Sequence, residues 1–173
     1  MVETIYTIGH STRPIEEFIA LLKQHKVAQL VDIRSVPGSR RNPQFGQEAL
    51  KESLESNDIH YTYMKKLGGW RRGPSGPENA AWRNASFRSY ADYMQTPEFS
   101  EGITDLLTLA EKSPTAIMCA EAVPWRCHRS LVGDALTVRD VTVQDIISST
   151  SHPEHKLTSF AKISGTDITY PVE

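Results

Sequence analysis

Residues 4–33 read TIYTIGHSTRPIEEFIALLKQHKVAQLVDI. The first five of them, TIYTI, are short and rich in strand formers. Pro14 then opens a stretch in which Ile15, Phe18, Ile19 and Leu22 recur at helical spacing. Thr12 is placed to cap that helix, with Pro14 in its first turn. Residues 27–33 (VAQLVDI) turn apolar again, as a strand covered on both faces does. A strand, a helix and a strand joined this closely make a βαβ unit, and such units build parallel sheets.

The alternation continues along the chain. Helices are expected over residues 47–56, 86–94, 97–112 and 126–138, the third of these with Ile103, Leu106, Leu107 and Ala110 on one face. Strands are expected over 59–63 (IHYTY), 115–119 (TAIMC) and 141–147 (VTVQDII). The pattern predicts a three-layer α/β/α, Rossmann-like domain with a mostly parallel sheet of about five strands. A single domain covers residues 1–173, with its core in 3–148 and a polar, weakly patterned tail in 149–173.

Composition fits this reading. The chain has 173 residues, 39% hydrophobic and 23% charged, and a chain of this size buries roughly 70% of its surface on folding. No apolar run approaches the length of a membrane span, so no membrane association is expected. The N-terminus lacks the basic start and apolar stretch of a signal peptide, which points to a cytoplasmic location. A net charge of -2 excludes a globally basic nucleic-acid binder, though not a local basic patch. Two cysteines, Cys119 and Cys127, are eight apart. A cytosolic chain of this size needs no disulfide, so their sulfur is either core filler or chemistry.

In open parallel sheets ligands bind beyond the carboxyl ends of the strands. The loops leaving the strands hold this chain's reactive residue types: Gly9-His10-Ser11-Thr12, then 32–41, then 65–72, then 119–129. Pro124 suits the first turn of a helix, which puts Cys127, His128 and Arg129 near unpaired amides and the positive dipole end. A thiol there is partly thiolate at neutral pH, and an anion meets amides plus guanidinium. Glu121 is a candidate acid or base, as is His10, which follows Gly9 directly. Arg34, Arg40 and Arg41 suit bidentate anion recognition, with Ser11 and Ser39 as further donors. Each has a plainer reading. Cys119 ends a buried strand, Cys127 packs a helix, Glu121 or His10 caps one, and Arg34 pairs with Asp32 or Glu121.

Between Tyr61 and Tyr90 lie six basic residues and one acid, Glu78, for a segment charge of +5. Aromatic residues interleave with them, so Lys65, Arg71, Arg72 and Trp70 are candidates for backbone contact and base stacking. Neither GxGxxG, GxxxxGKS/T nor GxSxG occurs. The Cys and His spacing is not that of a zinc finger or ribbon, so no metal and no cofactor is expected.

These residues carry a resemblance. Thr7 to Thr12, Asp32 to Pro37 with Ser39 and Phe45, and Leu67-Gly68-Gly69 match the domain-of-unknown-function 488 family. So do Phe87, Tyr90, Tyr93-Met94, the Cys119-x-Glu121 pair and Cys127-His128-Arg129. The resemblance implies a compact α/β domain and, as a prior, action on nucleotides or nucleic acids. The expected function is therefore an enzyme taking a phosphate-bearing ligand, a nucleotide or nucleic acid, and hydrolysing it. Glu121, Cys127 and His10 are its catalytic candidates. Arg34, Ser11, Ser39, Arg129, His128 and Arg40 are its binding candidates. Two alternatives stand beside it: a non-catalytic nucleic-acid-binding module, and a thiol- or metal-dependent redox or sensor protein.

Overall fold

The computed structural model describes residues 2–71 and 76–172. Five strands, β1 (Thr4–Gly9), β2 (Gln29–Asp32), β3 (His60–Tyr63), β4 (Thr115–Cys119) and β5 (Thr142–Ile146), form one sheet in the order β3-β2-β4-β1-β5. Every pairing in it is parallel. Successive residues of a strand point to opposite faces, and the two faces carry separate cores. Ile8, Leu30, Ala116 and Met118 pack against α1 (Ile15–Gln24) and α2 (Gln47–Glu55). Ile5, Val31, Ile117 and Cys119 pack against α3 (Ala85–Tyr93), α4 (Pro97–Ala110) and α5 (Arg129–Thr137). The result is the three-layer α/β architecture, with the sheet wholly rather than mostly parallel.

Local chemistry sets the helix ends. Asn84 Oδ1 accepts the Ser86 and Phe87 amides at 2.8 and 3.2 Å and so starts α3. Thr96 does the same for α4 through the Phe99 amide at 3.3 Å. Two expectations change. Pro14, not Thr12, precedes the first helical residue, and no side chain caps α1; Glu16 and Glu17 in its first turn answer the dipole instead. The helix expected over 126–138 is split. A 3-10 turn spans Pro124–Arg126, Cys127 is extended (φ -136°, ψ 147°), and α5 begins only at Arg129.

The tail is not separate from the core. Residues 151–155 run along the free edge of β5, where Asp145 N–H donates to the Pro153 carbonyl at 2.9 Å and His155 N–H to Val143 at 2.7 Å. They cover an edge that is otherwise open to pairing. A small antiparallel hairpin follows, β6 (Lys162–Ser164) and β7 (Asp167–Thr169), turning at Gly165 with φ 64°. Behind it Ile168 and Tyr170 insert into the α3–α5 core. The core thus extends well past residue 148. Among the described residues no helix is long and apolar enough to cross a membrane.

Candidate functional site

Strands β1, β2 and β4 end level with one another: Gly9 pairs with Cys119, and Ile8 and Asp32 both pair with Met118. Backbone bonds then carry the register into the loops. His10 N–H donates to the Cys119 carbonyl (2.9 Å), Ser11 N–H to Ala120 (3.0 Å) and Ile33 N–H to Met118 (3.0 Å). Gly9 permits this approach, since a Cβ there would overlap the Glu121 carbonyl. Beyond the strand ends lies a cavity of about 310 Å³. Its walls come from the loops after β2 (Arg34, Ser35), after β3 (Gly69, Trp70) and after β4 (Cys119, Glu121, Arg126, Cys127, His128), with Phe87 from α3.

Arg34 stands on the wall but is largely committed. Its Nε and Nη2 reach Asp32 at 3.0 and 2.8 Å, and Nη1 donates to the Phe45 carbonyl at 2.7 Å. Asp32 also accepts from the Arg34 amide at 3.0 Å and the Tyr61 hydroxyl at 2.5 Å. Burial and that carboxylate push the Tyr61 hydroxyl well above its ordinary pKa.

His128 is held from both ends. Its Nε2 donates to the Ile33 carbonyl at 2.9 Å, so Nδ1 is the acceptor, and Nδ1 lies 3.5 Å from Cys127 Sγ. Gly69 passes so close that a Cβ there would sit 2.5 Å from Nδ1. Burial pushes the pKa of His128 down to about 4, so the ring is neutral at physiological pH. The sulfurs of Cys119 and Cys127 are in contact, with Cα atoms 7.1 Å apart.

Arg129 turns inward. It is 0% exposed. Its Nη1 donates to Cys119 Sγ (2.9 Å) and the Glu121 carbonyl (2.5 Å), its Nη2 to Ala122 (3.2 Å), and its Nε to Thr7 Oγ1 (3.2 Å). It braces the wall rather than facing the cavity. Burial lowers its pKa to about 10. His10 is also beside the cavity and not on its wall. Its ring stacks on Phe45 at 4.5 Å and Nδ1 donates to the Ser11 carbonyl at 2.8 Å, leaving Nε2 buried with no partner among the described residues. Burial, chiefly, lowers its pKa.

The other expected residues scatter. Ser11, in the left-handed backbone conformation (φ 49°), lines a separate shallow hollow. Ser39 Oγ accepts the Asn42 amide at 3.0 Å, and Arg40 is exposed away from the cavity. Arg71 ties back to the Gly68 and Lys65 carbonyls and lies 3.6 Å over the Tyr93 ring. Lys65 and Trp70 are exposed, Trp70 at 79%. Arg72 lies outside the described residues. Ser35, Phe87 and Arg126 also line the wall and were not among the expected binding residues. Ser35 Oγ accepts the Trp70 amide at 2.6 Å and so joins the β2 and β3 loops. Arg126 pairs with no carboxylate among the described residues. Its place in the same short loop as Glu121 was the available signal, obscured by reading the segment as helix. Among the described residues no group of three or more His, Cys, Asp or Glu is arranged to hold a metal ion.

No curated protein and no solved structure matches this chain. A family model does, over residues 14–136, which takes in the β2 loop, the β3 loop, the Cys119–Arg129 segment and most of α5. The chain belongs to the family described as domain of unknown function DUF488.

Proposed function

We propose that the cavity takes a nucleotide, a phosphate-bearing ligand with a planar ring, and that the domain hydrolyses it. One observation supports the reading above others: Trp70, Phe87, Arg126 and Glu121 line the same hollow of about 310 Å³. That volume lies at the lower end of ordinary ligand pockets. The aromatic side chains offer stacking surfaces. The guanidinium of Arg126 supplies the anion contact, with the outer edge of Arg34 beside it. Glu121, exposed on the wall, is the proton-transfer group. His128 is neutral and already donating through Nε2, so it shapes the wall. Cys127, beside it, is the nucleophile in a covalent route. Nucleic acid is the larger form of the same ligand chemistry. Arg71 is held by carbonyls and a ring, which favours the single nucleotide over an extended strand.

The test is a titration with nucleoside mono-, di- and triphosphates followed by tryptophan fluorescence. Binding is expected to quench the Trp70 signal, to weaken roughly tenfold or more in Arg126→Ala, and to persist in Glu121→Gln while product release stops. Absence of any quenching at millimolar nucleotide overturns the reading.

A further inference from the structure

Cys119 closes β4, Cys127 precedes α5, and their sulfurs meet on the wall of the cavity. The Cα separation of 7.1 Å is just beyond the roughly 4.4–6.8 Å that a disulfide usually spans, so closing the bond requires the backbone to move. Dithiol and disulfide therefore differ by a small displacement of the loop between them, which carries Glu121 and Arg126.

Arg129 determines how this pair behaves. It is fully buried, and its side-chain acceptors are a hydroxyl, two carbonyls and Cys119 Sγ. Asp145 is reached only through Thr7, whose hydroxyl donates to it. A buried cation without a counter-charge in contact is costly. A thiolate on Cys119 supplies that charge at 2.9 Å from Nη1. The backbone N–H of Arg129, the first residue of α5, points at Cys127 Sγ from 3.4 Å. Both sulfurs thus sit where the reduced, anionic form is favoured.

We infer that Cys119 and Cys127 are a reversible dithiol–disulfide couple that exchanges electrons with low-molecular-weight disulfides and thiols admitted by the cavity. Cys127, the outer of the two, attacks one sulfur of the small disulfide. A mixed disulfide forms, the first small thiolate leaves, and it takes the proton that Cys127 gave up. The Cys119 thiolate then attacks Cys127 Sγ and expels the second small thiolate, which is protonated from solvent. One S–S bond is broken and one is formed, and two electrons pass from the protein to the small disulfide. Closing the bond removes the charge that faces Arg129, so the couple is oxidising and its disulfide is readily reduced. The inference does not depend on the nucleotide reading, and a failed nucleotide titration leaves it standing.

The experiment is a redox titration of the full chain in glutathione buffers, acid-quenched and alkylated, with thiols counted by mass. Both thiols are expected to disappear together in one two-electron transition, with no mixed disulfide accumulating. Cys119→Ser is expected to trap glutathione on Cys127. Arg129→Gln is expected to move the midpoint roughly tenfold toward the disulfide, about one pKa unit of thiolate stabilisation. If that variant does not fold, the wild-type and Cys119→Ser results decide alone. Thiols that stay reduced in fully oxidised glutathione, that oxidise independently, or a disulfide reduced only after unfolding overturn the inference.

Discussion

The guanidinium of Arg34 grips the carboxylate of Asp32, two residues earlier in the chain, with Nη2 2.8 Å from Oδ2 and Nε 3.0 Å from Oδ1. Both side chains are buried, at 5% and 0% exposure. The pair crosses from the end of β2 to the Phe45 carbonyl and ties the 34–45 loop to the sheet. The charge that the sequence offers as an anion hook is thus mostly neutralised where it stands.

Removing one member of a buried pair leaves the other charge without compensation, at a cost of roughly 3–5 kcal/mol. Arg34→Ala is therefore expected to lower the unfolding free energy by that amount in urea denaturation. Asp32→Asn is expected to be similarly harmful, and the double variant less so than the two losses summed. Additive losses would show that the two side chains do not act as a unit.

The fold was legible because each βαβ unit writes its period openly. Ile15, Phe18, Ile19 and Leu22 fall on one face of a helix, and VAQLVDI is apolar and short enough to read as a strand covered on both faces. The site was legible only as a set of loops. Strand-end loops must converge, which brought Arg34, Glu121, Cys127 and His128 to one cavity. Side-chain direction is not written in loop sequence, so Arg129 pointing inward and His10 lying under Phe45 were not readable. The tail escaped for another reason: two three-residue strands are too short to show alternation, and Ile168 and Tyr170 stand among polar neighbours.

Gly69 is the point where the β3 loop crosses His128. A methyl group placed 2.5 Å from Nδ1 must push the ring off the Ile33 carbonyl or lift the loop that carries Trp70. Gly69→Ala is expected to cost about 1–3 kcal/mol by overpacking. It is also expected to change Trp70 fluorescence, because the Trp70 amide is anchored to Ser35. A variant with wild-type stability and emission would place the loop elsewhere.

Stability is expected to depend on pH through the two buried imidazoles. His128 titrates near 4 in the folded chain against 6.5 in its ordinary state, and His10 is also lowered. The unfolded chain binds more protons between those values, so stability rises with pH across that window. The contribution is fully present above about pH 6.5 and is lost as pH falls toward 4. The lowering of His128 alone corresponds to roughly 3 kcal/mol across that window. Urea midpoints measured from pH 7 to pH 4 should fall more steeply for the wild type than for His128→Gln, which keeps an amide donor for Ile33. Parallel curves would remove His128 as a source of the slope.

Tyr170 joins the tail to α5: its hydroxyl donates to Asp134 Oδ2 at 2.8 Å, in the fully buried core. Asp134 Oδ1 is meanwhile held by the His155 ring at 2.8 Å and the Thr158 amide at 3.1 Å. The carboxylate therefore depends on the tail for three hydrogen bonds. Tyr170→Phe keeps the ring packed and removes one of them, which leaves a buried oxygen unsatisfied at about 1–3 kcal/mol. Truncation after residue 148 removes all three, uncovers the free edge of β5 and strips Ile168 and Tyr170 from the core. The truncated chain is expected to be insoluble or molten, with near-ultraviolet dichroism lost, while Tyr170→Phe folds with a lower thermal midpoint. A truncated chain with native dichroism and wild-type stability would show that residues 149–173 are dispensable to the fold.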